Sequence, residues 1–103
     1  MNVSNDRAEA QVPELILFIT GNAPRSRRAR RNLDEALESL GLDSVEPLEI
    51  DLMEHPEHTV TYSVFATPAL LRTDSSGDVQ VMYGDLSEER KLADFLDDLR
   101  RIQ

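Results

Sequence analysis

Between Pro13 and Gly21 the chain reads ELILFIT, an almost unbroken apolar run rich in β-forming residues. A strand with one face in water alternates apolar and polar side chains, because successive residues point to opposite faces of its sheet. A run without alternation suits a strand covered on both sides. Residues 14–20 are therefore expected to form a central strand, and the rest of the chain has to supply its neighbours and two covering layers. With 103 residues there is room for one hydrophobic core, so a single domain over residues 14–103 is expected, preceded by a flexible polar leader over 1–13.

The segments that follow suit that role. From Pro24 the apolar residues Ala29, Leu33, Ala36, Leu37 and Leu40 recur at helical spacing, with Pro24 or Ser26 as a start and Gly41 as a stop. Leu48, Ile50 and Leu52 alternate as in a strand, which completes a βαβ unit with parallel pairing. A short helix is expected near residues 57–64, weakened by Thr59, Val60 and Thr61. ALLRT, DSSGD and VQVMY then read as strand, turn and strand, with the Ser-Gly-Asp of the turn tolerating positive φ. In the last segment Ser87 is the expected cap, Glu88 and Glu89 suit the positive helix end, and Leu92, Phe95, Leu96, Leu99 and Ile102 form one apolar stripe. Arg100 and Arg101 suit its negative end. The order βαβαββα, with a mixed four-stranded sheet, is that of the thioredoxin-like α/β fold.

Composition narrows the function. At 40% apolar and 30% charged residues the chain lies in the globular range. It contains no cysteine, so a disulfide framework, a thiolate metal site and a thiol redox cycle are all excluded. No run approaches the roughly 20 apolar residues of a membrane helix, and the N-terminus lacks an apolar signal core; a cytoplasmic protein with no membrane partner is expected. Five of the eleven basic residues fall within residues 25–31 with no acid among them, in a chain whose net charge is −9. A chain this acidic repels nucleic-acid phosphates everywhere except at that cluster, so no nucleic-acid partner is expected and an acidic protein surface fits better. There is no G-x-x-x-x-G-K-[ST], no G-x-S-x-G and no other recognised nucleophile signature, so no catalytic residue and no cofactor is expected.

GNAPRS after the first strand, EIDL at the second, HPE beyond it, ATPAL from Ala66 and GDLSEER from Gly84 follow one another in an order and spacing that resemble the KaiB family. The resemblance runs from Leu15 to Leu99. It implies a small non-catalytic protein of a bacterial circadian or clock-like system that binds a KaiC-type hexameric ATPase and modulates its phosphorylation or ATPase cycle. Further partners it implies are KaiA-like or histidine-kinase clock components, with the protein a monomer or a weak homo-oligomer. It also implies two folds, a ground state of order βαββααβ and a thioredoxin-like state that binds KaiC. The ground state needs helix within residues 70–90, which Ser75, Ser76, Gly77, Val79 and Val81 oppose, and strand near the C-terminus, where KLADFLDDLRR fits a helix. The ground state is therefore disfavoured and a bias to the thioredoxin-like state expected. The alternative function is a sensor or adaptor domain similar to the input domain of a KaiC-interacting histidine kinase.

Where a thioredoxin-like domain carries its redox cysteines, this chain has Gly21, Asn22, Ala23 and Pro24 leading into Arg25, Arg27, Arg28, Arg30 and Arg31. Two readings of the arginines stand side by side. One is a solvated face balancing an acidic protein, with Arg30–Asp34 and Arg31–Glu35 as i,i+4 pairs. The other is an electrostatic docking surface that orients an acidic partner. The partner-binding set is then Asn22, Pro24, Arg25, Arg27, Arg28, Arg31 and Asp51, the resemblance placing contacts around the first helix and second strand. Pro68, after Thr67 and before a strand, is the candidate for a structural cis peptide bond. His55 and His58, with Asp51, Glu54 and Glu57, offer donors of the kind divalent metals accept, but their spacing is generic and flanks a proline, so an ordinary surface loop is the expectation and no metal site is assigned.

Overall fold

The computed structural model describes residues 15–74 and 76–102. The expected leader lies outside the described residues, as does Glu14 at the start of the expected first strand. The order is β1 (Leu15–Ile19), α1 (Pro24–Ser39), β2 (Leu48–Asp51), α2 (His58–Tyr62), β3 (Ala69–Thr73), β4 (Val79–Tyr83) and α3 (Glu89–Ile102). The sheet runs β2-β1-β3-β4. β1 pairs parallel with β2 and antiparallel with β3, and β3 pairs antiparallel with β4.

Every residue of β1 is buried, as its unbroken apolar run requires of a central strand. Its alternation divides the core in two. Leu15, Leu17 and Ile19 face α1 and α3, where Ala29, Leu33 and Leu37 of α1 meet Leu92, Leu96 and Leu99 of α3. Ile16 and Phe18 point the other way and pack with Ile50, Val64, Ala69 and Leu71, backed by Tyr62 of α2. The register places Phe18 between Ile50 and Ala69, so one ring joins three strands on that face.

Local chemistry sets the element ends. α1 begins with Pro24 in its first turn, where a missing N–H costs nothing, and no side chain caps it. It ends as Gly41, at φ +74°, donates its N–H to the Glu38 carbonyl while Leu42 donates to Leu37, the paired bonds of a Schellman stop. α2 is stopped the same way one turn after it starts, with Ser63 at φ +56° and the Val64 N–H donating to the Thr59 carbonyl. Its β-branched Thr59, Val60 and Thr61 give little propensity to resist that stop. In the hairpin, Gly77 takes φ +94° and Asp74 Oδ1 accepts from Ser76 and Asp78 N–H, each at 3.0 Å.

Ser87 is not the cap of α3. The first helical bond runs from the Leu92 N–H to the Glu88 carbonyl, which puts Glu88 at the cap, and Ser87 instead donates its N–H to Asp85 Oδ1 at 3.2 Å. Ser87 thus stands one residue outside the cap, in the Asx turn that Asp85 closes. Arg100, Arg101 and Ile102 lie outside the residues whose side chains are described.

Candidate functional site

Asn22, Pro24, Arg25, Arg27 and Asp51 gather at the corner where β1 leaves the sheet, and Arg28 and Arg31 lie further along α1. After Ile19 the chain turns through residues 20–23, with the Ala23 N–H donating to the Thr20 carbonyl at 3.2 Å. Gly21 sits at φ +51°, so the backbone angle calls for glycine, and a β-carbon there would come within 3.3 Å of the Sδ of the exposed Met53 side chain. Asp51, opposite Ile19 in the parallel ladder, holds this turn from the neighbouring strand. Its Oδ1 accepts from the Gly21 N–H at 3.0 Å and from the Met53 N–H at 2.9 Å. Those two bonds, Gly21 first, hold its carboxyl below the usual carboxylate value, with the His55 charge a smaller aid.

Three further residues, none of them among the expected site residues, complete the corner. Ser26, buried in the first turns of α1, accepts the Thr20 N–H at 3.1 Å through its Oγ. Thr20 and Thr67 share a hydroxyl–hydroxyl hydrogen bond, which ties the turn to the Thr67–Pro68 segment. The Thr67–Pro68 peptide bond is cis, and the Pro68 carbonyl accepts the Gly84 N–H at 2.9 Å. No local pattern marks Ser26 or the threonines, because each acts on a backbone or side chain that only the folded corner brings near.

The arginines of α1 divide by what they touch. Arg27 Nη1 donates to the Asn22 carbonyl at 2.7 Å, folding back over the turn. Arg28 Nε donates to Asp85 Oδ2 at 3.1 Å, and Asn32 Nδ2 donates to the Asp85 carbonyl at 2.9 Å, so the loop before α3 is pinned to α1. Ser87 and then Arg28 hold the Asp85 carboxyl below its usual range. Arg30 pairs with Glu49 of β2 at 2.6 Å. The expected Arg30–Asp34 pair is thus replaced by a cross-element one, and Arg31 makes no ion pair among the described residues. Arg25 also has none there, and lies beside Gly84 at the edge of a shallow cavity of about 320 Å³ shared with Tyr83 and Glu88. The cluster is thus divided: Arg28 and Arg30 pair across elements, while Arg25 and Arg31 are exposed with no ion pair among the described residues and Arg27 is exposed over a backbone carbonyl. Asn22 and Pro24 are exposed at the mouth of the turn; Asp51 is half-buried, its carboxylate committed to the turn.

The KaiB domain model matches residues 16–97, most of the chain, including every residue of this corner. The chain belongs to the KaiB family. That family comprises non-catalytic clock proteins. Among curated proteins none matches this sequence. Solved structures similar to this KaiB-family chain include thioredoxins. Fasciola hepatica thioredoxin superposes with a TM-score of 0.68 at 18% identity, covering 92% of this chain and 88% of that one. Mitochondrial thioredoxin 3 from Saccharomyces cerevisiae gives 0.69 at 14% identity, with 93% and 89% covered. Trxlp from Edwardsiella tarda gives 0.71 at 15% identity, with 93% of each chain covered. At these identities the likeness is one of fold alone, and it establishes the thioredoxin-like fold expected from the element order.

The grip of Asp51 on the turn is directly measurable. In Asp51→Ala the Gly21 and Met53 N–H groups lose their acceptor, and their amide exchange is expected to quicken at least about tenfold while that of Leu33 and Leu70 stays unchanged. Unchanged exchange at Gly21 would show that the turn holds without the carboxylate. Because the folded-state pKa is lowered, the stabilisation is present in full above the ordinary value of 3.8. It is lost as the pH falls below that value and through the lower folded one, so the natural protein is expected to loosen at the same amides on acidification.

Proposed function

We propose that this KaiB-family chain is a non-catalytic cytoplasmic clock or signalling protein that binds a KaiC-type hexameric ATPase and modulates its phosphorylation or ATPase cycle. The observation that carries this reading is the KaiB domain match over residues 16–97. The corner supports it. The position at which a thioredoxin-like domain places reactive sulfur holds a turn of Gly21, Asn22 and Ala23, backed by hydroxyls and a carboxylate that are spent on hydrogen bonds within the corner. What the corner and the helix leaving it offer to solvent is guanidinium, from Arg25 and Arg27 and, further along α1, Arg31, which suits recognition of an acidic surface.

The test is direct binding of the purified protein to a purified KaiC-type hexamer in ATP and in ADP, with the phosphorylation state of the hexamer followed in parallel. Saturable binding with a changed phosphorylation course is the expected result. No binding by well-folded protein would overturn the reading, and binding that leaves the phosphorylation course unchanged would favour the adaptor function.

The bias to the thioredoxin-like state belongs to the same proposal. The hairpin turn, with Gly77 at φ +94° and Asp74 holding three groups, suits strands on either side of it. Leu92, Leu96 and Leu99 meanwhile suit a buried helix face. Backbone chemical shifts of the free protein are expected to report strand over residues 79–82 and helix over residues 89–99. Helical shifts across residues 79–82 would show that the free protein rests in the other fold.

A further inference from the structure

The segment between β2 and α2 gathers three metal-ligating side chains that lie away from the arginine corner. Among Asp51, Glu54, His55, Glu57 and His58, the structure brings His55, Glu57 and His58 together, with one donor atom from each lying within 4.8 Å of the others. Glu57 Oε2 stands 3.5 Å from His55 Nδ1 and 3.9 Å from His58 Nε2. From these residues we infer that the protein carries a binding site for a borderline divalent transition ion of the Zn²⁺ class, with His55, Glu57 and His58 as ligands and water completing the shell.

The backbone makes the site. The His58 N–H donates to the His55 carbonyl at 3.1 Å and the Thr59 N–H to the Pro56 carbonyl at 3.1 Å, so the chain turns at Pro56 and Glu57 and presents residues three apart on one side. The root of the turn is anchored, since the Glu54 and His55 N–H groups both donate to the Asp51 carbonyl. The His58 ring is oriented by Tyr62, centroid to centroid 5.6 Å, and by the edge of His55 at 5.7 Å. Two ligands are thereby placed by packing and hydrogen bonds. Glu57 is free to swing, its side chain being 65% exposed.

Distance and chemistry agree on the ion. Tetrahedral zinc with bonds of about 2.0–2.1 Å holds neighbouring ligand atoms roughly 3.3 Å apart. The two separations from Glu57, 3.5 and 3.9 Å, and the one between the two histidines, within 4.8 Å, close to that by rotation of surface side chains. Two imidazoles and one carboxylate suit Zn²⁺, Ni²⁺ or Cu²⁺, whereas Mg²⁺ and Ca²⁺ prefer oxygen alone. The acidic surroundings, including Glu54 and a net charge of −9, raise the local concentration of cations. The spacing of the two histidines looks generic in sequence because the turn that unites them is formed by backbone bonds.

The test is calorimetric titration of the metal-free, tag-free protein with zinc sulfate, repeated with His55→Ala and Glu57→Gln. Both positions are exposed, so the variants keep the fold, which circular dichroism verifies. One saturable site is expected, weakened at least about tenfold by His55→Ala and also by Glu57→Gln, and not displaced by equal Mg²⁺. Amide resonances of residues 55–62 are expected to shift on Zn²⁺ addition while those of α1 stay in place. Binding that never saturates near one ion per chain, that both variants leave unchanged, or that moves resonances elsewhere would overturn the site.

Discussion

Reversing Arg27, Arg28 and Arg31 together to glutamate is expected to weaken binding to a KaiC-type hexamer at least about a hundredfold while leaving the protein folded. The three side chains are exposed on α1, and two of them have no carboxylate partner among the described residues. Their potential therefore projects into solvent, where it can steer and orient an acidic surface; glutamates would repel that surface. Stability should change little. Surface substitutions away from packed groups are worth about 0.5 kcal/mol or less, and acids near the start of a helix interact favourably with its dipole. The exception is Arg28, whose replacement places a glutamate beside Asp85 where a bond of 3.1 Å stood. Arg31→Glu alone is consequently the cleaner single variant, and Arg28→Glu alone should show up partly as loosening of the loop before α3. Binding of the natural protein should also fall as salt screens the attraction. If the triple variant binds as tightly as the natural protein, the arginine face is the wrong site even though the partner is right. If neither binds, the proposed function fails with it.

Phe18→Ala is expected to cost about 3–5 kcal/mol, a large share of the total stability of a domain this size, and to lower the melting midpoint by more than about 12 °C. Phe18 is fully buried, lies between Ile50 and Ala69 in the sheet, and meets the Tyr62 ring at a centroid distance of 5.3 Å. Among the described residues, five residues of helix cover that side, so little of that structure can collapse into the cavity left behind. The internal control is another phenylalanine. Phe65 is 80% exposed, and Phe65→Ala should leave the midpoint within a few degrees. A near-normal midpoint for Phe18→Ala would mean that the α2 side of the sheet contributes little to holding the fold together. The same pair of variants separates stability from recognition, since neither touches the arginines of α1.

The parts legible in the amino-acid order are those decided by neighbours in the chain. The apolar run of β1, the 3.6-residue recurrence of Ala29, Leu33 and Leu37, and Gly41 as a helix stop all act within a few residues, and all appear as expected. The hairpin strands fall on ALLRT and VQVMY because a Gly-containing turn separates two β-rich runs. The candidate site was legible only in outline. Its position followed from the turn after β1, but the partners of its side chains did not.

Arg30 bonds to Glu49 rather than Asp34, Arg28 to a residue 57 positions away, and Asp51 reaches 30 positions back to Gly21. The physical reason is one of scale. An exposed ion pair is worth roughly 0–1 kcal/mol, so a long charged side chain has many nearly equal partners and the sequence cannot rank them. Burial of a strand or helix face sums many apolar contacts in one direction, and its pattern is written locally. The sequence by itself therefore determined the order of elements, the two-sided burial of β1 and the absence of sulfur chemistry. Only the tertiary structure decided which arginines remain available to a partner, that Asp51 clamps the turn, and that two histidines and a glutamate meet, because those outcomes depend on which weak contacts the packed elements bring within reach.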